Sequence, residues 1–172
     1  MFEEKEIVNR CIKKDRIAQK QLFEKFSKQL FSTAYRIVAD YNMAHDVIQE
    51  SFIEVFRDLK DFNNNSPLYY WIKTIVVRKA VRILKKTDSF EILDTDYATV
   101  QFNDEFTAYE LDKAILRLPP RCRSIFILIE VEGYKHNEVA KIMNISEGTS
   151  KSQLHYSKKI LRSLLKEIHD GR

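Results

Sequence analysis

The sequence predicts an all-α fold of two small helical modules joined by a flexible acidic linker, the C-terminal module being a helix-turn-helix. A chain of 172 residues can form one medium domain or two small ones. Only three glycines and three prolines are present, so turns and strand boundaries are few. Apolar residues recur at helical spacing in most segments, whereas residues 88–107 show neither helical period nor strand alternation. We therefore predict modules at residues 1–87 and 108–172, with a linker at 88–107.

Two short observations place the helices of each module. Residues 4–38 carry apolar residues at the spacing of two helices. In the second module, a Pro-Pro pair separates a helix at 108–117 from a helix at 121–131. The second of these helices ends at Gly133, a C-cap residue. These helices are expected to support the helix-turn-helix that follows.

The composition excludes several classes of function. Three glycines cannot form the glycine-rich loops that bind nucleotide phosphates. Cys11 and Cys122 are isolated, and the four histidines lack metal-ligand spacing, so we predict no metal site and no cofactor. No catalytic constellation is present, and we predict that the chain is not an enzyme. The sequence contains no membrane-spanning apolar run and no signal-peptide core, so we expect a cytoplasmic protein without membrane insertion.

Charge is strongly segregated along the chain, although the net charge is only +4. Residues 62–86 carry six basic and no acidic side chains, and residues 87–112 carry eight acidic and no basic ones. Residues 113–172 are basic again, with a net charge of +6. Two basic blocks on either side of an acidic segment indicate two surfaces that face nucleic acid.

The segment 133–166 predicts a helix-turn-helix. Val139 and Met143 form the inward face of a two-turn helix, and Asn144 is a residue that tolerates the left-handed backbone of a tight turn. Ser146 is a good N-cap for the next helix. That helix is basic, and its N-terminal end, the part that enters a major groove, has small polar side chains. The alternative is a surface helical hairpin with a solvated basic face.

A sharply amphipathic helix is predicted at residues 43–60. Its apolar stripe includes Val47, Phe52 and Val55, and the opposite row is polar except for Ile53. An aliphatic residue in a polar row indicates a protein-binding surface. The alternative is a solvated face with one stray apolar residue.

Residues 62–86 combine a polar loop with a basic, aromatic helix. Ser66 is a predicted N-cap, and Pro67 fits the first helical turn. Aromatic residues interleaved with cations are what a single-stranded nucleic acid requires, since bases stack on the rings and phosphates attract the cations. The alternative places Trp71 in the core against the helix at 43–60.

These segments together resemble a protein family. The sequence AHDVIQESFIEVF resembles the core-polymerase-binding helix of bacterial sigma factors, and residues 62–86 resemble their minus-ten-reading segment. LPPRCRSIFIL, followed by EGYKHNEVAKIMNISEGTSKSQLHYSKKIL, resembles region four. The three motifs occur in the family's order and cover nearly the whole chain. The short acidic linker and the lack of other regions are similar to the extracytoplasmic-function group.

The pattern and the resemblance together define three predicted sites. The surface for core polymerase comprises Asp46, Gln49, Glu50, Ile53 and Arg57. The surface for the melted minus-ten strand comprises Asn63, Asn64, Asn65, Ser66, Tyr69, Tyr70, Trp71, Lys73, Arg78 and Arg82. The surface for the minus-thirty-five duplex comprises Thr149, Lys151, Ser152, His155, Tyr156, Lys158 and Lys159.

The resemblance implies that the chain directs core RNA polymerase to promoters, without covalent chemistry of its own. The implied partners are the polymerase β′ clamp helices and β flap, promoter DNA and an anti-sigma factor. Five residues depart from the family pattern. Ser150 stands where an aliphatic residue is usual and Asn144 where glycine is frequent. Gln153 and Tyr156 replace frequent arginines, and Arg78 replaces a frequent asparagine. One rival interpretation is a helix-turn-helix regulator that acts without being a polymerase subunit. The other is a helical adaptor whose basic faces bind acidic protein partners.

Overall fold

The computed structural model describes residues 2–86 and 106–170, and every regular element within those residues is helical. The prediction of an all-α fold is confirmed. Nearly all of the predicted linker lies outside the described residues. The helices are α1 (Phe2–Ile12), α2 (Arg16–Val38), α3 (Tyr41–Asp58), α4 (Leu68–Lys86), α5 (Ala108–Arg117), α6 (Pro120–Phe126), α7 (His136–Met143) and α8 (Glu147–Asp170).

The chain forms two compact units, Met1–Ile83 and Leu84–Arg172. Because α4 runs to Lys86, the division falls within its last turn. The module limits drawn from the sequence, 1–87 and 108–172, stay predictions.

The core of the first unit lies where α2, α3 and α4 meet. Phe23 of early α2 contacts Phe52 of late α3 at 4.8 Å between ring centroids, and Phe31 contacts His45 at 4.6 Å. This order shows that α2 and α3 are antiparallel. Fully buried aliphatic side chains fill the space between the helices, among them Leu22, Leu30, Val47, Val55, Leu68, Ile72 and Val76.

Side-chain caps define where the helices of the first unit begin. The Asp15 carboxylate accepts hydrogen bonds from the amides of Ile17 and Ala18 and from Arg10 Nε, and the Arg10 bond lowers the pKa of Asp15. Asp40 caps α3 by accepting from the amide of Met43 at 2.8 Å.

The helix α4 begins at Leu68, so Pro67 and not Ser66 holds the N-cap position. The Pro67 carbonyl accepts from the amide of Trp71 at 3.4 Å. The predicted cap at Ser66 is therefore wrong by one residue. A proline can take this place because the position needs no amide donor.

In the second unit, α8 contacts α5, α6 and α7. Thr107 and Glu110 cap α5 reciprocally, with the Thr107 amide donating to Glu110 Oε2 at 2.8 Å. Pro120 opens α6, which continues into a π-helical turn at Ile127–Val131. The turn ends before Gly133, whose φ of +75° is the left-handed conformation that glycine adopts readily and that suits its predicted role at a helix end.

The buried guanidinium of Arg123 closes the end of α5. Its Nη1 donates to the carbonyl oxygens of Leu118 at 2.9 Å and Leu116 at 3.2 Å, which α5 leaves without intrahelical partners. Burial lowers the pKa of Arg123 to about 10. Arg123, the second arginine of LPPRCR, therefore has a structural part here, since it joins α5 to α6.

Candidate functional site

The outer row of α3 has the exposure that was predicted for it. Asp46, Gln49, Glu50, Ile53 and Arg57 are all exposed, and Ile53 keeps 69% of its surface accessible. On the opposite face of the helix, Val47, Phe52 and Val55 are buried. The row is thus a surface with an exposed aliphatic side chain among charged and amide groups.

Three ion pairs organise the charges around this row. Arg57 Nε and Nη2 donate to the two carboxylate oxygens of Asp58 at 2.6 and 2.8 Å, and this bonding lowers the pKa of Asp58. Lys79 of α4 reaches the acids of α3: its Nζ lies 2.8 Å from Glu54 Oε2 and 3.6 Å from Glu50 Oε2. Sequence reasoning counted Lys79 among the cations of a nucleic-acid-facing helix and missed this pairing, because the pairing depends on how α4 packs on α3.

The polar loop before α4 lines a cleft of about 500 Å³. Asn64, which lies in the left-handed region with φ 59°, forms part of its wall. The loop is braced internally, since Asn63 Oδ1 accepts from the amide of Asn65 at 3.2 Å. The helix α1 also contributes to the wall, through Glu4 and Lys5, which the sequence analysis did not include.

The aromatic residues at the start of α4 divide into exposed and packed side chains. Tyr70 is 53% exposed, whereas Tyr69 is half-buried, with its ring 5.9 Å from that of Phe26. Trp71 is half-buried against Phe62, with ring centroids 5.5 Å apart. Trp71 therefore packs beside the loop, and Tyr70 is the ring most open to a ligand.

The basic residues of α4 also differ in exposure. Arg78 and Arg82 are exposed. Lys73 is 6% exposed, and its Nζ lies 5.2 Å from the centroid of Tyr70 and 6.0 Å from that of Tyr69. Lys73 was placed on the minus-ten surface from the sequence, but its side chain is buried. It supports the two tyrosine rings by cation–π contact and is not open to a phosphate.

The turn between α7 and α8 has the predicted chemistry. Asn144 adopts φ 53° and ψ 55°, and the amide of Ile145 donates to the Ala140 carbonyl at 3.0 Å. Ser146 Oγ accepts from the amide of Thr149 at 2.9 Å, so the predicted N-cap is confirmed. This geometry is that of a helix-turn-helix.

Polar side chains also join α8 to its supporting helices. Ser150 is fully buried, and its hydroxyl lies 2.9 Å from His136 Nδ1 at the start of α7. Ser157 is fully buried and donates to the Cys122 carbonyl of α6 at 3.0 Å. Burial raises the pKa of the Cys122 thiol, so this cysteine stays protonated at neutral pH.

The groove-facing candidates of α8 fall into two groups. Lys151, Ser152 and His155 are exposed, and Lys151 pairs with Glu147 at 3.0 Å. The others, namely Thr149, Tyr156, Lys158 and Lys159, are half-buried. Thr149 Oγ1 bonds to Ser146 Oγ at 2.8 Å, and Lys158 pairs with Glu130 at 2.9 Å. Both Lys151 and Lys158 are thus paired with an acid, and the two groups differ in how far their side chains are exposed.

Within residues 2–86 and 106–170, no group of three or more His, Cys, Asp or Glu side chains is placed to hold a metal ion. No helix in those ranges is long and apolar enough to cross a bilayer. A helix-turn-helix in the second unit and an aromatic, basic face in the first are features typical of DNA-binding proteins.

The sequence matches two regions of one family. Sigma-70 region 2 matches residues 22–90, and sigma-70, region 4 matches residues 108–161. The ECF RNA polymerase sigma factor SigW of Bacillus subtilis is 24% identical over 182 residues, covering 95% of this chain and 97% of SigW. The ECF RNA polymerase sigma factor SigE of Mycolicibacterium smegmatis is 24% identical over 156 residues, covering 84% of this chain but only 60% of SigE.

A solved structure shares the fold. The sigma factor RpoE of Bartonella quintana, in complex with the anti-sigma factor NepR, matches with a TM-score of 0.55 at 24% identity, covering 86% of this chain and 96% of that chain. The chain belongs to the sigma-70 family of RNA polymerase sigma factors, in its extracytoplasmic-function group. The resemblance stated from the sequence is confirmed.

Proposed function

We propose that this sigma factor binds core RNA polymerase through the outer row of α3, directs it to a promoter, and has no covalent chemistry of its own. The observation that carries the proposal is Ile53, which is 69% exposed between charged residues on a helix whose other face is buried. An aliphatic side chain inside a polar rim is a common centre of a protein interface. The partner implied by the family is the pair of β′ clamp helices.

The proposed site for the melted minus-ten strand is the loop at 62–67 with the start of α4. Extruding a base costs a few kcal/mol per step of lost stacking. Stacking on an exposed ring returns about 1–3 kcal/mol per base, and Tyr70 is the exposed ring. Amides from Asn63, Asn64 and Asn65 can bond to base edges, while Arg78 and Arg82 face the phosphates.

The proposed site for the minus-thirty-five duplex is the N-terminal part of α8. Lys151, Ser152 and His155 are exposed where a recognition helix enters the major groove. Lys158 and Lys159 lie further along the helix, where side chains meet phosphates and not base edges. In this arrangement, α7 positions α8 through the contact between His136 and Ser150.

The module limits, the location and the remaining partners follow from the same proposal. We assign residues 1–87 to core binding and minus-ten reading, and residues 108–172 to minus-thirty-five reading. The protein would act in the cytoplasm, where core polymerase and promoters are, and would also contact the β flap. Because the Bartonella quintana relative is in complex with an anti-sigma factor, we extend that kind of partner to this chain.

The decisive experiment is run-off transcription with purified core polymerase. The tagged chain should co-purify with polymerase subunits, and its addition should start transcription at discrete promoters. A helix-turn-helix regulator would bind duplex DNA alone and would not start transcription with core enzyme. Failure to associate with core would refute the proposed function.

A further inference from the structure

One of the two buried lysines of α4, Lys79, points to a link between the two proposed surfaces of the first unit. Lys79 is 9% exposed and lies in α4 beside the fully buried Val76 and Ala80. Its ammonium meets Glu54 and Glu50 of α3. A buried charge is costly unless it is paired, so these two acids determine where the ammonium lies.

The ammonium of Lys79 in turn stabilises the two acids, Glu50 and Glu54. Glu50 and Glu54 are four residues apart on α3, and like charges at this spacing repel each other across one helical turn. Lys79 Nζ is closest to Glu54, at 2.8 Å, where the acid is 33% exposed. Glu50 lies 3.6 Å away and is 52% exposed, so much of its carboxylate faces solvent and remains open to a partner.

We propose that Lys79 is a positioning residue for core polymerase: it holds Glu50 in the orientation that the outer row of α3 presents to the partner. The inference rests on the proposed function of that row. It adds a residue from α4, the helix that carries the proposed minus-ten side chains, to the determinants of core binding. Through Lys79, the orientation of an α3 carboxylate depends on the packing of α4.

The test measures core polymerase affinity and melting temperature in a set of charge variants. The single change Lys79→Met leaves the half-buried Glu54 without its cation and can destabilise the unit. The balanced variant Glu54→Gln/Lys79→Met removes both charges of the 2.8 Å pair together, so its melting temperature should stay near that of the wild type. Glu54→Gln alone is the matched control, because it keeps Lys79 beside Glu50.

The balanced variant should bind core about fivefold more weakly, the factor given by roughly 1 kcal/mol of coupling. Glu54→Gln should bind nearly as well as the wild type. Glu50→Gln should weaken binding in the wild-type background but add little in the balanced variant, because Glu50 is no longer held there. A purely structural lysine would not produce this loss of additivity.

Two results would overturn the inference. One is wild-type core affinity in the balanced variant, and the other is an undiminished effect of Glu50→Gln in that background. If instead the wild-type protein does not bind core polymerase at all, the proposed function fails and the inference fails with it.

Discussion

His136 Nδ1 lies 2.9 Å from the hydroxyl oxygen of Ser150, and this contact joins the two helices of the helix-turn-helix. Ser150 is fully buried at a place where an aliphatic residue would join the helices by packing alone. The Ser150 hydroxyl therefore joins α7 to α8 through a hydrogen bond. A larger apolar side chain at this position would join them through packing.

Ser150→Ala should lower the free energy of unfolding by about 1 kcal/mol, because it removes the hydrogen bond and leaves the imidazole without this partner. Urea unfolding followed by circular dichroism measures the change. The control is Ser152→Ala on the same helix, where the side chain is exposed and the effect should stay within about 0.5 kcal/mol. Equal stability of the two variants would contradict a structural part for the contact.

Ile53→Asp should weaken core polymerase binding by about tenfold or more, since an interface centre typically contributes more than 1 kcal/mol. Ile17→Asp is a matched control: Ile17 is 66% exposed and Ile53 is 69% exposed, but Ile17 lies on α2. Both changes should leave the melting temperature nearly unaltered, because neither side chain is buried. Similar losses of affinity in both variants would mean that the α3 row is not a specific surface.

Asn64→Ala combined with Tyr70→Ala should reduce open-complex formation about tenfold, since stacking contributes about 1–3 kcal/mol per base. Permanganate reactivity of thymines near the start site measures the melted state. Assembly with core enzyme should be unchanged, and a promoter with a pre-melted bubble should restore much of the transcription. Tyr109→Ala, a change at a 72% exposed tyrosine of α5, is the control. Normal melting by the double variant would exclude the 62–71 segment from strand reading.

Glu130→Gln should increase affinity for the minus-thirty-five duplex, because it releases Lys158 from a 2.9 Å ion pair and removes a negative charge near the phosphates. Lys158→Ala should have the opposite effect and reduce the salt slope of binding by about one ion. Titrations at several salt concentrations measure both quantities.

Glu167→Gln is the control for this pair of changes. It breaks a comparable 2.9 Å pair, with Arg117, near the far end of α8. It should leave the affinity and the salt slope unchanged. If Glu130→Gln also leaves them unchanged, Lys158 does not contact phosphate.

The sequence by itself determined the features that depend on neighbouring residues. A left-handed backbone at Asn144 and a cap at Ser146 follow from local conformational preference and a hydrogen bond within one turn. The exposed row of α3 follows from a period of 3.6, because residues at this spacing share a face. Even so, the cap of α4 differs by one residue from its prediction, because the helix begins at Leu68 and Pro67, not Ser66, directly precedes it.

Only the tertiary structure decided which cations are free to meet a partner. Lys73, Lys79 and Arg123 read as basic surface residues in a linear sequence, yet all three are buried. Their partners are rings on their own helix, acids on α3 and carbonyls at the end of α5. Only the acids that pair with Lys79 are distant in sequence, and for Lys73 and Arg123 packing still decided that the cation is buried. The physical reason is that a charged group can be buried only where a compensating group offsets the cost of its desolvation. Groups that are distant in sequence are brought together only by the fold.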